Sequence, residues 1–90
     1  MKLEYDEQKS LRNEQERGLP FSVVEQFDFE TAYIRQDTRF EYPEPRFKAL
    51  GLVNRRVHTL VFCTRGKFLR VISFRKANSR EVKVYEINRR

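Results

Sequence analysis

Among its 90 residues the chain has one cysteine, one histidine and no tryptophan. A single cysteine cannot form an intramolecular disulfide, which excludes the disulfide-framed secreted class and leads us to expect a reducing, cytoplasmic location. His58 and Cys63 do not make a zinc set, and no acidic cluster has the spacing of metal ligands. We therefore expect neither a metal nor any other cofactor.

Glycine and long apolar runs are also scarce. The three glycines, at positions 18, 51 and 66, are isolated, so there is no glycine-rich loop to hold the phosphates of a nucleotide. No segment approaches the roughly 20 apolar residues of a membrane-spanning helix. Residues 1–10 also lack the apolar region of a signal peptide. The sequence thus predicts no insertion into a membrane, no secretion and no nucleotide-driven chemistry.

Positive charge is what the chain has in excess. Nineteen lysines and arginines against thirteen aspartates and glutamates give a net charge of +6. Such a charge favours a polyanionic partner: nucleic acid, an acidic protein or an anionic membrane surface, among which charge alone does not choose. The length predicts a single domain over residues 1–90, and eight phenylalanines with four tyrosines can supply its core.

The N-terminal third is predicted to form two helices. Asp6 is a suitable N-cap for a helix that runs to about Arg17 and is followed by a glycine. Leu11 is the only large apolar residue of this helix, which predicts a surface position. Ser22 and Glu25 have the spacing of a capping box and predict a second, short helix.

Four later segments have the patterns and bounding turn residues of β-strands. They are residues 32–35, 46–53, 56–64 and 67–75. Short turns join the last three, which predicts an antiparallel meander, with the first strand at an edge. Asn78 and Glu81 form another capping-box pair and begin a C-terminal helix. The predicted class is α+β: two N-terminal helices, an antiparallel sheet of about four strands, and a C-terminal helix.

The junction of the last strand and last helix is the strongest candidate for a site. Arg75 and Lys76 end the strand directly before the capped helix, so two cations meet a helix start. In an unbulged strand, alternation places Arg75 and Arg70 on opposite faces. We therefore expect Arg75 at the site and Arg70 at the rim or ion-paired, unless a β-bulge lies between them.

A series of short motifs covers nearly the whole chain. They are residues 3–9 (LEYDEQK), Asn13, Arg17 with Gly18, residues 37–39 (DTR), Glu44, Arg46 with Phe47, Gly51, residues 64–66 (TRG), residues 70–81 (RVISFRKANSRE), and Tyr85 with Glu86. In order and spacing the chain resembles BrnT-type toxins, ribonucleases of bacterial type II toxin–antitoxin pairs with a RelE-like fold. Phe40 and Arg17 stand where such toxins often have histidine, and the turn at 64–66 looks one residue shorter than usual.

The resemblance implies an endoribonuclease toxin that is neutralised by a cognate antitoxin. That partner would be a small DNA-binding protein, of the ribbon-helix-helix, BrnA-like kind, supplying most contacts to operator DNA. The missing histidines keep an alternative open, a non-catalytic module of the same fold that binds nucleic acid or protein. A third interpretation is a structural protein that binds only an acidic partner.

Metal-independent RNA cleavage requires removal of the 2′-OH proton, stabilisation of charge on the phosphorus, and protonation of the leaving oxygen. Arginine suits the second task, because its planar fork binds two phosphate oxygens and stays charged. The predicted catalytic residues are Arg75, Arg46, Arg39, Lys76 and Tyr85. The predicted substrate-binding residues are Arg80, Arg65, Asp37 and Glu44.

Each of these residues also has an ordinary structural interpretation. The arginines and carboxylates can be solvated surface groups, and Tyr85 can simply pack in the core. The resemblance favours Arg75 and Arg46 over the rest. His58, which lies within a strand, is more typical of a structural histidine than of a catalytic one.

Overall fold

The computed structural model describes residues 2–89, which form an α+β fold with a five-stranded sheet. In chain order the elements are β1 (Lys2–Glu4), α1 (Glu7–Arg17), a 3₁₀-helix (Phe21–Gln26), β2 (Tyr33–Asp37), β3 (Arg46–Val53), β4 (Arg56–Arg65), β5 (Phe68–Lys76) and α2 (Ser79–Asn88). The strands lie in the order β1-β5-β4-β3-β2. The predicted meander, its edge strand and the C-terminal helix are confirmed.

Two details of the prediction are wrong. The sheet is mixed and five-stranded, because β1 pairs in parallel with β5, with Leu3 opposite Leu69. The second helix is a 3₁₀-helix that starts after Pro20, and the hydroxyl of Ser22 does not cap it. Its i→i+3 repeat puts Phe21 and Val24 on one side, and both are buried. A six-residue 3₁₀ segment is too short for its periodicity to be told from that of an α-helix, and alternation in a three-residue strand does not show which strand it pairs with.

The core has two parts, one on each face of the sheet. The larger packs the 3₁₀-helix against strand residues that include Leu60, Val71 and Phe74. The smaller lies under α2 and consists of Leu50, Val57, Ala77 and Tyr85. Because α2 is short, it covers only the end of this face of the sheet that is nearest to Leu50 and Val57. The rest of that face is not covered by α2.

Helix α1 is attached by polar contacts. Asp6 accepts hydrogen bonds from the amides of Gln8 and Lys9 at 2.9 and 3.2 Å, as an N-cap does. The Asn13 amide donates to the carbonyls of Leu19 and Phe74, at 2.7 and 2.9 Å. These bonds hold a helix that has almost no apolar face, and the predicted surface position is confirmed.

A β-bulge interrupts the pairing of β4 with β5. Val61 lies opposite Ser73 but the next residue, Phe62, lies opposite Val71, so Ile72 is an extra residue in β5. The bulge shifts the alternation by one position, which lets Val71 and Phe74 both enter the larger core. The expectation that Arg70 and Arg75 lie on opposite faces is therefore wrong: they share the face that α2 partly covers.

Candidate functional site

Within residues 2–89, the three adjacent strands β3, β4 and β5 contribute five cations to the part of this face that α2 leaves uncovered. We call it the basic face and define it by Arg46, Lys48, Arg65, Arg70 and Arg75. Alternation within each strand puts these side chains on one side, since Arg46 is two residues from Lys48 and Arg70 is beyond the bulge from Arg75. Cations on neighbouring strands form a concentrated patch that favours polyanions.

Strand register arranges the patch in rows. Cys63 of β4 pairs with Arg46 on one side and Arg70 on the other, so these three residues form one row across the sheet. Thr59 pairs with Arg75 and forms another row. The two rows are four positions apart along β4, a distance of about 13 Å at the usual rise per residue. Between the rows lies Lys48. The basic face thus extends along the strands as a stripe.

Glu81 organises the end of the stripe near α2. Only 8% of this residue is exposed, and its carboxylate accepts hydrogen bonds from Arg75 Nη1 at 2.7 Å and Nη2 at 2.9 Å. Thr59 Oγ1 donates to it at 3.0 Å, and Lys48 Nζ lies 3.1 Å away. The hydrogen bonds from Arg75 hold the pKa of Glu81 well below its usual range. Arg75 and Lys48 are thereby fixed in position.

The same glutamate also begins helix α2. The Asn78 side chain accepts from the Glu81 amide at 2.9 Å, and the Glu81 side chain accepts from the Asn78 amide at 3.0 Å. The capping box predicted from the sequence is confirmed. One residue thus links the position of α2 to the geometry of the cations.

Arg46 lies at the β3 end of the other row. Its guanidinium carbon lies 4.2 Å from the ring centroid of Tyr42, a cation–π contact. Its Nε is buried and has no hydrogen-bond partner within residues 2–89. Buried donors without partners are rare in folded proteins and call for an explanation, of which a missing ligand is one.

Beside Arg46 is a pocket of about 210 Å³. Its lining includes Cys63, Arg65 and Arg70, together with Arg46 itself. Arg70 donates to Glu4 Oε1 at 2.9 Å, and Arg65 contacts the same oxygen at 3.3 Å. Each of these arginines keeps further N–H groups, since a guanidinium has five. Three guanidinium groups around one small pocket make an anion-binding arrangement.

Two other groups complete the pocket. Glu44 accepts from Arg65 Nε at 2.9 Å, and this hydrogen bond lowers the pKa of Glu44. Burial raises the pKa of the Cys63 thiol, which keeps it protonated. Glu44 therefore orients Arg65, which lies on the next strand. It does not orient Arg46, its near neighbour in sequence.

Asp37 and Arg39 form a separate pair at the end of β2. Arg39 Nε and Nη2 each lie 3.0 Å from an Asp37 oxygen. Tyr42 also donates its hydroxyl to Asp37 at 3.1 Å. Hydrogen bonding by Arg39 lowers the pKa of Asp37 strongly. Arg39 itself is 77% exposed, so it stands at the rim of the loop that carries Tyr42.

Three further predicted residues also lie away from the pocket. Lys76 is exposed on the opposite face of the sheet, where it pairs with His58. Tyr85 is 2% exposed within the smaller core, with its hydroxyl 3.3 Å from that of Thr31. Arg80 lines a different pocket of about 350 Å³, next to Lys48.

His58 is on the face opposite the stripe. It is 4% exposed and its ring stacks on Phe74 with centroids 5.4 Å apart. Its Nδ1 lies 2.8 Å from the Arg56 carbonyl oxygen, and burial lowers its pKa, so the ring is neutral at pH 7. These contacts fit a structural histidine.

Sequence reasoning missed four members of this site. They are Lys48, Glu81 as an ion-pair partner, Tyr42 and Arg70. Lys48 could have been found, because it is two residues from Arg46 in a predicted strand. Arg70 could not, because only the bulge brings it to this face.

Neither α-helix within residues 2–89 has the length and apolarity to span a bilayer. In the same part of the chain, no three or more histidine, cysteine, aspartate or glutamate residues are grouped so that they could hold a metal ion.

Fold and site together define a small α+β protein that presents an arginine-rich stripe on one face of its sheet. A family model described as "Ribonuclease toxin, BrnT, of type II toxin-antitoxin system" matches residues 5–81. The chain belongs to this family, which confirms the resemblance seen in its motifs. No curated protein matches the chain significantly. The matched region contains all five cations of the basic face and ends at Glu81.

Proposed function

We propose that the protein is an endoribonuclease toxin that cleaves RNA on the basic face without a metal ion. The observation that carries this proposal is the environment of Arg46. Its buried Nε has no hydrogen-bond partner within residues 2–89, and the residue lines a pocket together with Arg65 and Arg70. A phosphate group would supply acceptors to all three guanidinium groups. Family membership supports RNA as the source of that phosphate.

In the proposed reaction the 2′-oxygen of one nucleotide attacks the adjacent phosphorus and the bond to the 5′-oxygen breaks. The products are a 2′,3′-cyclic phosphate and a 5′-hydroxyl end. Arg46 donates to the phosphate oxygens that gain charge in the transition state, which is often the largest catalytic contribution. Arg65 and Arg70, oriented by Glu44 and Glu4, assist from the pocket wall.

Arg46 rather than Arg75 takes the leading role in this proposal. Two of the N–H groups of Arg75 are already bonded to Glu81. Arg75 and Lys48 instead bind a neighbouring phosphate farther along the stripe. Arg39 and Arg80, at the two ends, add weaker phosphate contacts.

Proton transfer is not assigned to a side chain in this proposal. His58 lies on the opposite face with Lys76, and Tyr85 is buried. We infer that water accepts the 2′-OH proton and protonates the leaving oxygen. The resulting enzyme depends on electrostatic stabilisation and is slow compared with a ribonuclease that uses two histidines.

Regulation in this proposal follows from the toxin–antitoxin family. A cognate antitoxin, of the ribbon-helix-helix, BrnA-like kind, would neutralise the toxin by covering the basic face with an acidic segment. Charge complementarity supports this arrangement. Contacts to operator DNA would come from the antitoxin.

Cleavage of a defined single-stranded RNA by the purified protein in EDTA tests the proposal. We expect Arg46→Ala to lower the rate about 100-fold and Arg75→Ala to lower it about tenfold. Arg12→Ala, which removes an exposed arginine of α1, is the matched control and should change the rate less than about twofold. Circular dichroism confirms that each variant is folded, and the antitoxin should stop the reaction.

Intact RNA in the presence of folded parent protein would contradict the enzyme. If that protein still bound RNA, the non-catalytic binding module would be correct instead. An equal loss in Arg12→Ala and Arg46→Ala would mean that only net charge matters and that the pocket has no special role.

A further inference from the structure

The loop between β2 and β3 presents an aromatic side chain to solvent. Phe40 is 66% exposed, although it belongs to a residue type that is usually buried. Its ring contacts Tyr42 edge-on, with centroids 6.0 Å apart, and the Arg39 guanidinium lies 5.9 Å from its centroid. An exposed ring beside a cation is able to stack on a nucleobase.

Hydrogen bonds and ring contacts fix the shape of the loop. The hydroxyl of Tyr42 donates to Asp37, which also binds Arg39 through two hydrogen bonds. Arg46 lies against the ring of Tyr42. Arg39, Phe40, Tyr42 and Arg46 thus form a continuous stack of contacts in which the two rings lie between the two cations. Because these contacts already exist, little conformational entropy is lost when a ligand binds.

A pocket of about 460 Å³ lies beside this stack. Phe40, Tyr42 and Arg46 line it together with polar and acidic side chains: Gln36, Asp37, Thr38, Glu41 and Glu44. It shares Tyr42 and Arg46 with the smaller pocket that Arg65 and Arg70 line. The volume is within the range of small-ligand sites and is sufficient for a nucleobase and its ribose. A base in the larger pocket would place its phosphate near the smaller one.

We propose that Phe40 and Tyr42 form a stacking subsite for one unpaired base of single-stranded RNA, next to the phosphate bound by Arg46. This subsite rests on the proposed function for the identity of its ligand. Stacking on an aromatic ring tolerates every base, since each has a π-face. The subsite therefore selects unpaired over paired RNA, and not one sequence over another.

The full-length protein and a nuclease-resistant ligand test the subsite apart from cleavage. The ligands are two fluorescent octanucleotides with the same 2′-O-methyl backbone, one of adenines and one without bases. We expect the parent to bind the adenine octamer about tenfold more tightly than the abasic one. Phe40→Ala should remove that preference, whereas Phe40→Trp should retain it.

Two further variants serve as controls. Ile87→Ala removes another exposed apolar side chain, 81% exposed on α2, and should bind both octamers as the parent does. Arg46→Ala should weaken binding of both and reduce the salt dependence by about one phosphate contact. Phe40→Ala should leave the salt dependence unchanged.

The result that overturns the subsite is equal binding of the two octamers by the parent, or an equal loss for both in Phe40→Ala. Either result would assign Phe40 to another task, such as contact with a protein partner. If the base preference depends on Phe40 but the parent leaves ordinary RNA intact, the subsite is correct and the cleavage proposal alone fails.

Discussion

Arg75 and Glu81 form a bidentate ion pair that joins the last strand to the last helix. Nη1 lies 2.7 Å from Oε1, and Nη2 lies 2.9 Å from Oε2. Such parallel pairs combine charge attraction with defined geometry. Since Glu81 also caps α2 and contacts Lys48, this single carboxylate connects stability with the arrangement of the basic face.

Replacing Glu81 by glutamine should destabilise the fold. The amide keeps the shape but leaves Arg75 and Lys48 without a countercharge, and we expect a loss of about 2 kcal/mol in the free energy of unfolding. Urea denaturation measures this loss. Glu86→Gln, at an exposed position of the same helix, is the matched control and should change stability by less than about 0.5 kcal/mol. Similar values for the two variants would contradict the structural role of the pair.

The same pair predicts how stability depends on pH. The pKa of Glu81 is lowered from an unfolded value near 4.5 by its bonds to Arg75. A lowered carboxyl pKa contributes stability that is complete above the unfolded pKa and is lost as pH falls below it. Unfolding curves of the parent should therefore show stability falling below about pH 5. Glu81→Gln should fall less steeply there, and parallel curves would contradict this prediction.

His58→Gln separates the structural histidine from a catalytic one. His58 stacks on Phe74 on the face opposite the basic face, so its replacement should cost about 1 kcal/mol of stability. The RNA cleavage rate of the folded variant should stay within about twofold of the parent. The rate of the parent should also show no inflection near pH 6.5. A 100-fold loss of rate in folded His58→Gln would reassign the proton transfer.

Gly51→Ala tests the packing behind the basic face. A Cβ at this position would lie 2.5 Å from Cζ and 2.8 Å from Cε1 of Phe27, a ring that is 5% exposed in the larger core. Because the ring must move, we expect a loss of about 2 kcal/mol in thermal or urea unfolding.

Gly66→Ala is the comparison for that variant. Nothing lies within 4 Å of its added Cβ, but its φ of +56° disfavours alanine, so a loss of about 1 kcal/mol is expected. If Gly51→Ala proved the milder of the two, the close approach of Phe27 to β3 would be refuted.

The sequence was sufficient for features whose signals are local. Asp6 and the Asn78–Glu81 pair predicted the starts of both α-helices, and alternation with short turns predicted the meander. Arg46 was also named as a candidate before the fold was known, and its role stays a prediction. The parallel pairing of β1 with β5 depends on residues 66 positions apart, such as Leu3 and Leu69, and no local pattern encodes it.

The site was predicted less completely than the fold. Its residues come from three strands and a helix, so their grouping depends on register. The carboxylate that holds Arg75 was recognised only as a helix cap, since a capping box gives no sign of a second partner. Glu44 bonds Arg65 of the neighbouring strand, a contact that sequence position alone does not show.

Because Ile72 is an extra residue, the side chains of β5 reach their correct faces only when the strand keeps its number of residues. The strand consists of two halves in opposite phase: Leu69 and Val71 precede the bulge, and Phe74 follows it, all facing the same core. A one-residue deletion here would leave a regular strand in which either the core residues or the arginines point the wrong way. A substitution can alter the site by small steps. A change in the number of residues between Arg70 and Arg75 would instead remove one of the two arginines from the basic face, or the core residues from the core, in a single step.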